Sequence, residues 1–266
     1  MNVAQEKQTA PQGYTAGELM VAAAAREIHD SEIVFVGMRL PLIAFAVAKR
    51  THAPRAIGLF ENGIIRETPA RELLYTMADP PNLSNATHTG SMLDVMGYLQ
   101  QGRVNVGFLG AAEVDRFGNL NTTEGRSNGQ KVRLPGAGGA CDIASLAQRT
   151  VVLLEHSRRR LVDRVAHITS PGFGDGNRAG INWRESQGLP ACSGPSAIIT
   201  TRAILRFAAN GEAFLSSLHP GVMLKDVLEN TGWNLRVPEN VGTTPSPSDD
   251  ELAVMRELDP HNFWTK

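Results

Sequence analysis

The chain has 266 residues, and its 26 Lys and Arg against 27 Asp and Glu give a formal net charge of −1 at pH 7. This balance provides no overall positive field, which argues against nucleic acid or an anionic membrane as a partner. A hydrophobic share of 42% excludes a disordered chain and predicts a globular protein with a large buried core.

Several further classes of protein are excluded by what the sequence lacks. With two cysteines and no CxxC or HExxH motif, it has neither a disulfide scaffold nor a common zinc site. Its longest apolar run, residues 40–48, is far shorter than the ~20 residues of a bilayer-spanning helix. The N-terminal residues lack the apolar core of a secretory signal. We therefore expect a cytoplasmic protein with no membrane anchor and no metal.

Residues 1–14 are polar and are predicted to form a loose tail, so that a single domain spans residues 15–266. Thr15 and Glu18 have the spacing of a capping box, in which each side chain bonds the backbone N–H of the other residue. This pattern predicts a helix from Thr15 to about His29.

A strand, a glycine turn, a helix and a second strand follow. Residues 33–36 are a short apolar run typical of a buried parallel strand. Gly37 begins the turn, and residues 41–50 are predicted to be helical because Pro41 suits the first turn of a helix. Residues 56–60 read as the second strand. A strand–helix–strand unit predicts a parallel sheet.

The same alternation continues along the chain. Residues 92–100 and 141–148 are predicted helices, and residues 104–109 and 150–154 are predicted strands. The expected fold is therefore α/β, a mainly parallel open sheet with flanking helices.

The pattern changes in the last third of the chain. Residues 197–201 and 213–218 are predicted strands, and Asn210-Gly211 between them is typical of a hairpin turn, so this part is expected to be more antiparallel. A short helix is predicted over residues 225–230. A second capping box at Ser248 begins a last predicted helix, which ends at Leu258.

Two glycine-rich stretches could approach a ligand. The dinucleotide-binding fingerprint is Gly-x-Gly-x-x-Gly. Residues 136–139 and 172–176 each contain its first two glycines, but Cys141 and Asn177 stand where the third glycine would be. The sequence contains no P-loop. On spacing alone, each stretch is best explained as a tight turn. The first precedes a predicted helix, however, so its backbone N–H groups could also meet an anionic oxygen.

Glu61 directly follows the predicted strand 56–60 and precedes Asn62 and Gly63. Ligands of open α/β sheets bind at the carboxyl ends of the strands. A carboxylate at that place is a base, a nucleophile or merely a turn residue, and its immediate context favours the turn.

Four segments together resemble the family I CoA-transferases. Residues 60–65 resemble the Glu-Asn-Gly motif of the family, and residues 135–143 resemble its Gly-x-Gly-Gly-Ala loop with a trailing Asp. Residues 110–121 are similar to its Gly-x-x-x-Val-Asp-x-x-Gly-Asn-x-Asn stretch, and residues 228–232 to the ENTGF ending of glutaconate-type B (β) subunits. The resemblance covers roughly residues 15–263.

The resemblance implies covalent catalysis. Glu61 would be the nucleophile that attacks an acyl-CoA, and the N–H groups of Gly138 and Gly139 would stabilise the oxyanion. The resemblance assigns CoA and substrate binding to Gly37, Asn62, Gly63, Gly136 and Ala137, and we expect Arg39, in the same loop as Gly37, to take part as well. It implies no cofactor beyond CoA as substrate, and a separate A (α) subunit in an αβ heterotetramer or larger assembly.

One departure from the family pattern concerns the loop after the first strand. The family has Gly-x-Gly-x-Pro where this chain has Gly37-Met38-Arg39-Leu40-Pro41, so Arg39 replaces a glycine. This side chain either fills the cleft or adds a cation for a carboxylate or a CoA phosphate.

Two other functions remain open at this stage. One is an acyl-CoA hydrolase or a C–C lyase or decarboxylase of the same fold, and the other is a non-catalytic binding module. The presence of Glu61 favours the transferase.

Overall fold

The computed structural model describes residues 13–127, 130–177, 182–190 and 192–266. The strands are, in chain order, β1 (Ile33–Phe35), β2 (Ile57–Phe60), β3 (Ile64–Arg66), β4 (His88–Thr89), β5 (Val106–Leu109), β6 (Glu113–Asp115), β7 (Leu120–Asn121), β8 (Glu124–Ser127), β9 (Gln130–Arg133), β10 (Arg149–Leu154), β11 (Leu161–Val162), β12 (Pro195–Thr200), β13 (Ala203–Phe207), β14 (Ala213–Leu218) and β15 (Gly242–Thr243). The helices are α1 (Ala16–Ala25), α2 (Leu40–Arg50), α3 (Pro80–Leu83), α4 (Met92–Gln100), α5 (Ala140–Leu146), α6 (Trp183–Ser186), α7 (Leu224–Glu229) and α8 (Asp249–Leu258).

The main sheet in the described part of the chain has ten strands in the order β15-β14-β13-β12-β10-β5-β1-β2-β3-β4. Its central strands β12, β10, β5, β1 and β2 are all parallel to one another. Antiparallel pairs extend the sheet on both sides, through β13 and β14 on one side and through β3 and β4 on the other. The predicted α/β class with a mainly parallel sheet is confirmed.

The core lies on both faces of this sheet. On one face, the Ala-rich α1 packs against α2 and α8, and their shared core includes Ala22, Phe45 and Met255. On the other face, Val95 of α4 and Ile143 of α5 cover the strands. Burial on both faces explains why the central strands are continuous apolar runs and do not alternate with polar residues.

Capping fixes the ends of several helices. The predicted boxes at Thr15–Glu18 and Ser248–Glu251 are present, and Ser91 forms a third with Asp94 at the start of α4. Helix α1 ends at Ala25, a few residues before the predicted end at His29, because Glu27 N–H and Ile28 N–H make short turn hydrogen bonds to Ala24 and Ala25.

Strand β13, which lies between the two predicted strands of the C-terminal part, was not predicted. It pairs with β12 through Ile198–Leu205 and with β14 through Arg206–Phe214. The Asn210-Gly211 turn therefore joins β13 to β14, with Gly211 at φ +79°.

The motif that includes Asp115 and Asn119 is a buried framework. The Asp115 carboxylate accepts hydrogen bonds from the backbone N–H of Phe117 at 3.0 Å and from that of Asn119 at 3.1 Å, and burial raises its pKa. Asn119 Oδ1 accepts the N–H groups of Gly172 and Gly174, each at 3.0 Å. The second glycine-rich stretch is thus held as a turn in the core.

Two histidines are buried beside β12 with all of their ring nitrogens in hydrogen bonds. His156 contacts Thr200 Oγ1 at 2.9 Å and Thr231 Oγ1 at 3.2 Å. His219 contacts Thr244 Oγ1 at 3.0 Å and the Thr200 carbonyl at 2.7 Å. Burial lowers the pKa of each ring to about 4, so both are neutral at physiological pH.

These histidines predict a loss of stability in acid. Unfolded histidines take up protons near pH 6.5, whereas the two buried rings do so only near pH 4. Their contribution to stability is therefore complete above pH 6.5 and is lost as the pH falls through this window, at about 1.4 kcal/mol per pH unit for each ring. Denaturant unfolding at several pH values should give a shallower pH dependence for His219→Gln than for wild type. Equal slopes would contradict this assignment.

Candidate active site

A cleft of about 680 Å³ lies at the carboxyl ends of the parallel strands. Three strands contribute the residue that directly follows them, Gly110 after β5, Glu155 after β10 and Thr201 after β12, and the loop after β1 contributes Arg39. Because these strands are parallel, their carboxyl ends meet at one edge of the sheet, where ligands of open α/β sheets bind.

Glu61 follows β2 at this same edge and is half-buried. Its Oε1 accepts a hydrogen bond from the backbone N–H of Gly139 at 3.0 Å. The fold thus brings together two motifs 78 residues apart, and a Cβ built on Gly138 would lie 3.9 Å from the same carboxylate oxygen. The three residues to which the resemblance assigned catalysis therefore form one cluster.

The glycine loop needs glycines for conformation and for space. Gly136 has φ +97° and Gly138 has φ +50°, in the left-handed region that glycine adopts at low cost. A Cβ on Gly139 would lie 2.8 Å from Glu61 Oε1 and 2.6 Å from Met96 Cε. A side chain at position 139 would therefore displace the Glu61 carboxylate or Met96 from this arrangement.

Buried polar residues anchor both ends of the loop. Before it, the Asn121 side chain donates to Glu113 Oε2 and to the Glu124 carbonyl, each at 2.7 Å, and the Gly136 N–H bonds the Thr122 carbonyl at 2.8 Å. After it, buried Arg184 donates to the carbonyls of residues 144 and 145 at the end of α5. Burial lowers the pKa of Arg184 to about 10, so it remains charged at neutral pH.

Sequence reasoning missed the role of Arg184. No local signal distinguishes this arginine from a solvated one, because its partners come from α5 and from the chain around Gly172. Asn121, by contrast, lies in the stretch that resembles the family pattern.

Asn62 and Gly63 form the turn behind Glu61. Asn62 Nδ2 donates to the Met77 carbonyl at 2.9 Å. Gly63 has φ +96°, and a Cβ there would lie 2.3 Å from the Gly90 carbonyl oxygen. In the described structure these two residues pack against residues 77 and 90, so their geometry shows how they hold Glu61. Binding of CoA by Asn62 and Gly63 stays a prediction.

The other predicted binding residues differ in where they lie relative to the cleft. They are Gly37, Arg39, Gly136 and Ala137. Gly136, Ala137 and Arg39 line it. Gly37 lies beneath it, where a Cβ would approach the Phe108 carbonyl oxygen to 2.5 Å, so that the loop after β1 packs closely on β5. The Arg39 guanidinium is exposed and lies 4.9 Å from the centre of the Trp264 ring.

In the part of the chain that the structure describes, no group of His, Cys, Asp and Glu side chains has the arrangement of a metal site. Cys141 and Cys192 are both free thiols. Nor is any helix among the described residues long and apolar enough to cross a bilayer.

Residues 18–230 match the coenzyme A transferase family, and the chain belongs to this family. Within it, the chain is of the β-subunit type. It is 42% identical to the β (B) subunit of 3-oxoadipate CoA-transferase from Pseudomonas knackmussii, over 92% of this chain and 94% of that protein. It is 33% identical to the β (B) subunit of glutaconate CoA-transferase from Acidaminococcus fermentans, over 93% of each chain.

Solved structures agree with this assignment. The structure of glutaconate coenzyme A-transferase from Acidaminococcus fermentans superposes with a TM-score of 0.85 and 29% identity, and covers 96% of this chain and 98% of that chain. The decarboxylase AibA/AibB superposes with a TM-score of 0.79 and 28% identity, over 94% of this chain and 97% of that chain. The fold therefore also occurs in a protein with a different reaction.

We expect Gly139→Ala to lower kcat for CoA transfer by about 10²-fold, since a displacement of a reacting group by about 1 Å has this effect. The new methyl group would force the Glu61 carboxylate or Met96 to move. Steady-state kinetics of the enzyme with its partner subunit would measure the loss. Gly97→Ala is a matched control, because Gly97, like Gly139 at φ −79°, lies outside the left-handed region, and a Cβ there would meet only Gln101 Nε2, at 3.9 Å. Equal kcat values for the two variants would refute the role of this contact.

Proposed function

We propose that this chain is the B (β) subunit of an enzyme that moves CoA between an acyl-CoA and a carboxylic acid through a glutamyl-CoA thioester on Glu61. The observation that supports this most directly is the 3.0 Å hydrogen bond from the Gly139 N–H to Glu61 Oε1 at the carboxyl edge of the sheet. It holds one carboxylate oxygen against a donor and leaves the other, Oε2, to attack.

In the first step, Glu61 Oε2 attacks the carbonyl carbon of the acyl-CoA. The C–S bond breaks, CoA leaves as its thiolate, and an acyl-glutamyl anhydride remains. The charge that develops on the acyl oxygen needs a preorganised donor, and the Gly138 N–H is our candidate for it. A donor of this kind typically contributes about 3–4 kcal/mol.

In the second step, the CoA thiolate attacks the glutamyl carbonyl carbon of the anhydride. The anhydride C–O bond breaks, the acid leaves with the former Oε2, and Glu61 becomes a CoA thioester. The negative charge in this step develops on Oε1, the oxygen that Gly139 already contacts. The contact in the free protein thus supplies the oxyanion donor for the glutamyl carbon.

The two steps then occur in reverse with a second acid, which attacks the glutamyl-CoA thioester and leaves as the new acyl-CoA. Because the first acid leaves before the second reacts, the kinetics are ping-pong. This scheme requires no metal and no organic cofactor other than CoA as substrate. Both intermediates react with water, so the site must exclude it while they exist. The dependence on CoA and the two free thiols support a cytoplasmic location.

For the substrate, we propose a short dicarboxylic acid. The two β-subunit relatives are named for 3-oxoadipate and glutaconate, both of which are dicarboxylic acids. The partner would be the A (α) subunit of a CoA-transferase, with which the chain forms an αβ heterotetramer or a larger assembly.

The surface next to Glu61 supports a covering partner. Leu93 and Met92, at the start of α4, are 79% and 54% exposed. They follow Gly90, whose N–H bonds the Gly63 carbonyl at 2.9 Å behind the nucleophile. An apolar pair at this place suits a second protein chain that would both bury it and exclude water from the site.

Trapping the thioester tests the covalent mechanism. Incubation of the reconstituted pair with acyl-CoA and then borohydride should convert the Glu61 side chain to an alcohol, which a peptide map would locate. Glu61→Ala should abolish CoA exchange while the protein stays folded, whereas Glu239→Ala, which removes an exposed loop carboxylate, should retain it. A hydrolase or decarboxylase that makes no covalent glutamyl adduct would show no trapped product, as would a non-catalytic binding module, and either result would refute the transferase.

Charge placed on the apolar pair tests the partner surface. We expect Leu93→Asp to prevent stable co-purification with the α subunit, because a carboxylate would have to be desolvated in the interface. Met223→Asp is the matched control, since Met223 is also a 63% exposed apolar residue but lies next to α7. Size-exclusion chromatography of the co-expressed pair would separate the outcomes. An intact Leu93→Asp complex would place the partner elsewhere.

A further inference from the structure

The loop after β1 carries a side chain at a position where the backbone favours none. Arg39 has φ +70° and ψ −117°. Residues other than glycine avoid this region, because the Cβ crowds the neighbouring carbonyl oxygen. Strained conformations of this kind persist only where the surrounding structure enforces them, and they cluster at functional sites. The strain at Arg39 therefore points to a functional role for this side chain.

Its surroundings point to a ligand. The guanidinium stacks 4.9 Å from the centre of the Trp264 ring, and both residues line the cleft. Trp264 is itself fixed, because its Nε1–H donates to the Leu74 carbonyl at 3.0 Å. An arginine held on an aromatic face keeps its planar fork of N–H donors in one orientation.

The other arginine in the cleft, Arg160, has partners within the protein, although its buried Nε makes no hydrogen bond. Arg160 contacts Glu155 at 3.5 Å and donates to the Ala111 carbonyl at 3.2 Å. Among the described residues, the Arg39 guanidinium has neither a carboxylate partner nor a hydrogen bond to the protein. A guanidinium with unused paired donors binds a carboxylate through two parallel hydrogen bonds.

Arg39 and Glu61 leave the sheet side by side. Strands β1 and β2 are neighbours with Phe35 opposite Leu59, and adjacent strands lie about 4.8 Å apart. Arg39 lies four residues beyond Phe35, and Glu61 lies two residues beyond Leu59. Arg39 also lines the cleft together with Gly136 and Ala137, and the same loop continues to Gly139, whose N–H bonds Glu61.

We propose that Arg39, supported by Trp264, binds the distal carboxylate of the acid and thereby selects dicarboxylates over monocarboxylates. This inference rests on the proposed function, because it assigns the acid specificity of that same reaction. It also places part of the acid selection on this chain, next to the nucleophile, in addition to any contribution of the partner subunit.

The test compares matched acids in the reconstituted pair, with acetyl-CoA and succinyl-CoA as donors. The acids are succinate with propionate, glutarate with butyrate, and adipate with valerate, so that each monocarboxylate lacks only the distal carboxylate. For Arg39→Gly we expect kcat/KM to fall by about 10- to 100-fold for dicarboxylates, through a higher KM, with little change for monocarboxylates. Arg39→Lys should recover part of the loss, since it keeps the charge without the fork.

Two controls separate recognition from structure. Arg39→Gly removes the strained side chain, so its midpoint of thermal unfolding should be equal to that of wild type or higher. Arg55→Gly removes a surface arginine that pairs with Asp30 at 2.7 Å on the opposite edge of the sheet. It should leave unchanged the ratio of kcat/KM for each dicarboxylate to kcat/KM for its matched monocarboxylate. If Arg39→Gly fails to fold, Arg39→Gln answers the same question with a neutral side chain.

The possible results are distinct. This inference would be overturned if the ratio of kcat/KM for dicarboxylates to kcat/KM for monocarboxylates is unchanged in the Arg39 variants. It would also be overturned if the wild type prefers monocarboxylates. Either result would leave the proposed transferase activity intact. A rise in the KM of the acyl-CoA alone would reassign Arg39 to CoA and would also overturn it. If the wild-type pair transfers CoA to none of these acids, the proposed function itself fails.

Discussion

The site depends on one hydrogen bond, from the Gly139 N–H to the Glu61 carboxylate. It joins the end of β2 to the start of α5, and the two bonded residues are 78 positions apart in the sequence. A side chain at residue 139 would displace the Glu61 carboxylate or Met96, and the turn after Glu61 fits closely against Gly90. The parallel sheet satisfies the remaining requirement, because it brings the ends of β1, β2, β5 and β10 to one edge.

Several buried polar side chains support this bond from a distance. Asn119 and Asp115 fix the turn at Gly172 and Gly174, Arg184 spans from that turn to the end of α5, and Asn121 holds the hairpin that leads into the glycine loop. These groups are hydrogen bonded, as buried polar groups must be if they are not to destabilise the fold. A precise contact at the edge of the sheet thus rests on a buried polar framework.

The local signals in the sequence were sufficient for the elements with strong patterns. The strand–helix–strand unit around α2 and the capping boxes at Thr15 and Ser248 follow from apolar periodicity and residue spacing, and the structure confirms them. Strand β13 was missed because no turn residue separates it clearly from β12. The meeting of Glu61 with the glycine loop could be expected only from resemblance, since no periodicity relates distant segments. The stacking of Arg39 on Trp264 joins residues near opposite ends of the chain, and no local pattern predicts it.

In the proposed mechanism, Gly139 holds Oε1 while Oε2 exchanges with the substrate. Transfer of oxygen-18 from a labelled acid tests it most directly, in the reconstituted pair with unlabelled acyl-CoA. Each new acid bonds through one of its own oxygens and leaves that oxygen on Glu61. Mass spectrometry of the Glu61 peptide after many turnovers should therefore find one labelled oxygen and no more. Absence of label would exclude the covalent route, and two labelled oxygens would show that the carboxylate rotates freely, so that the Gly139 bond does not hold it.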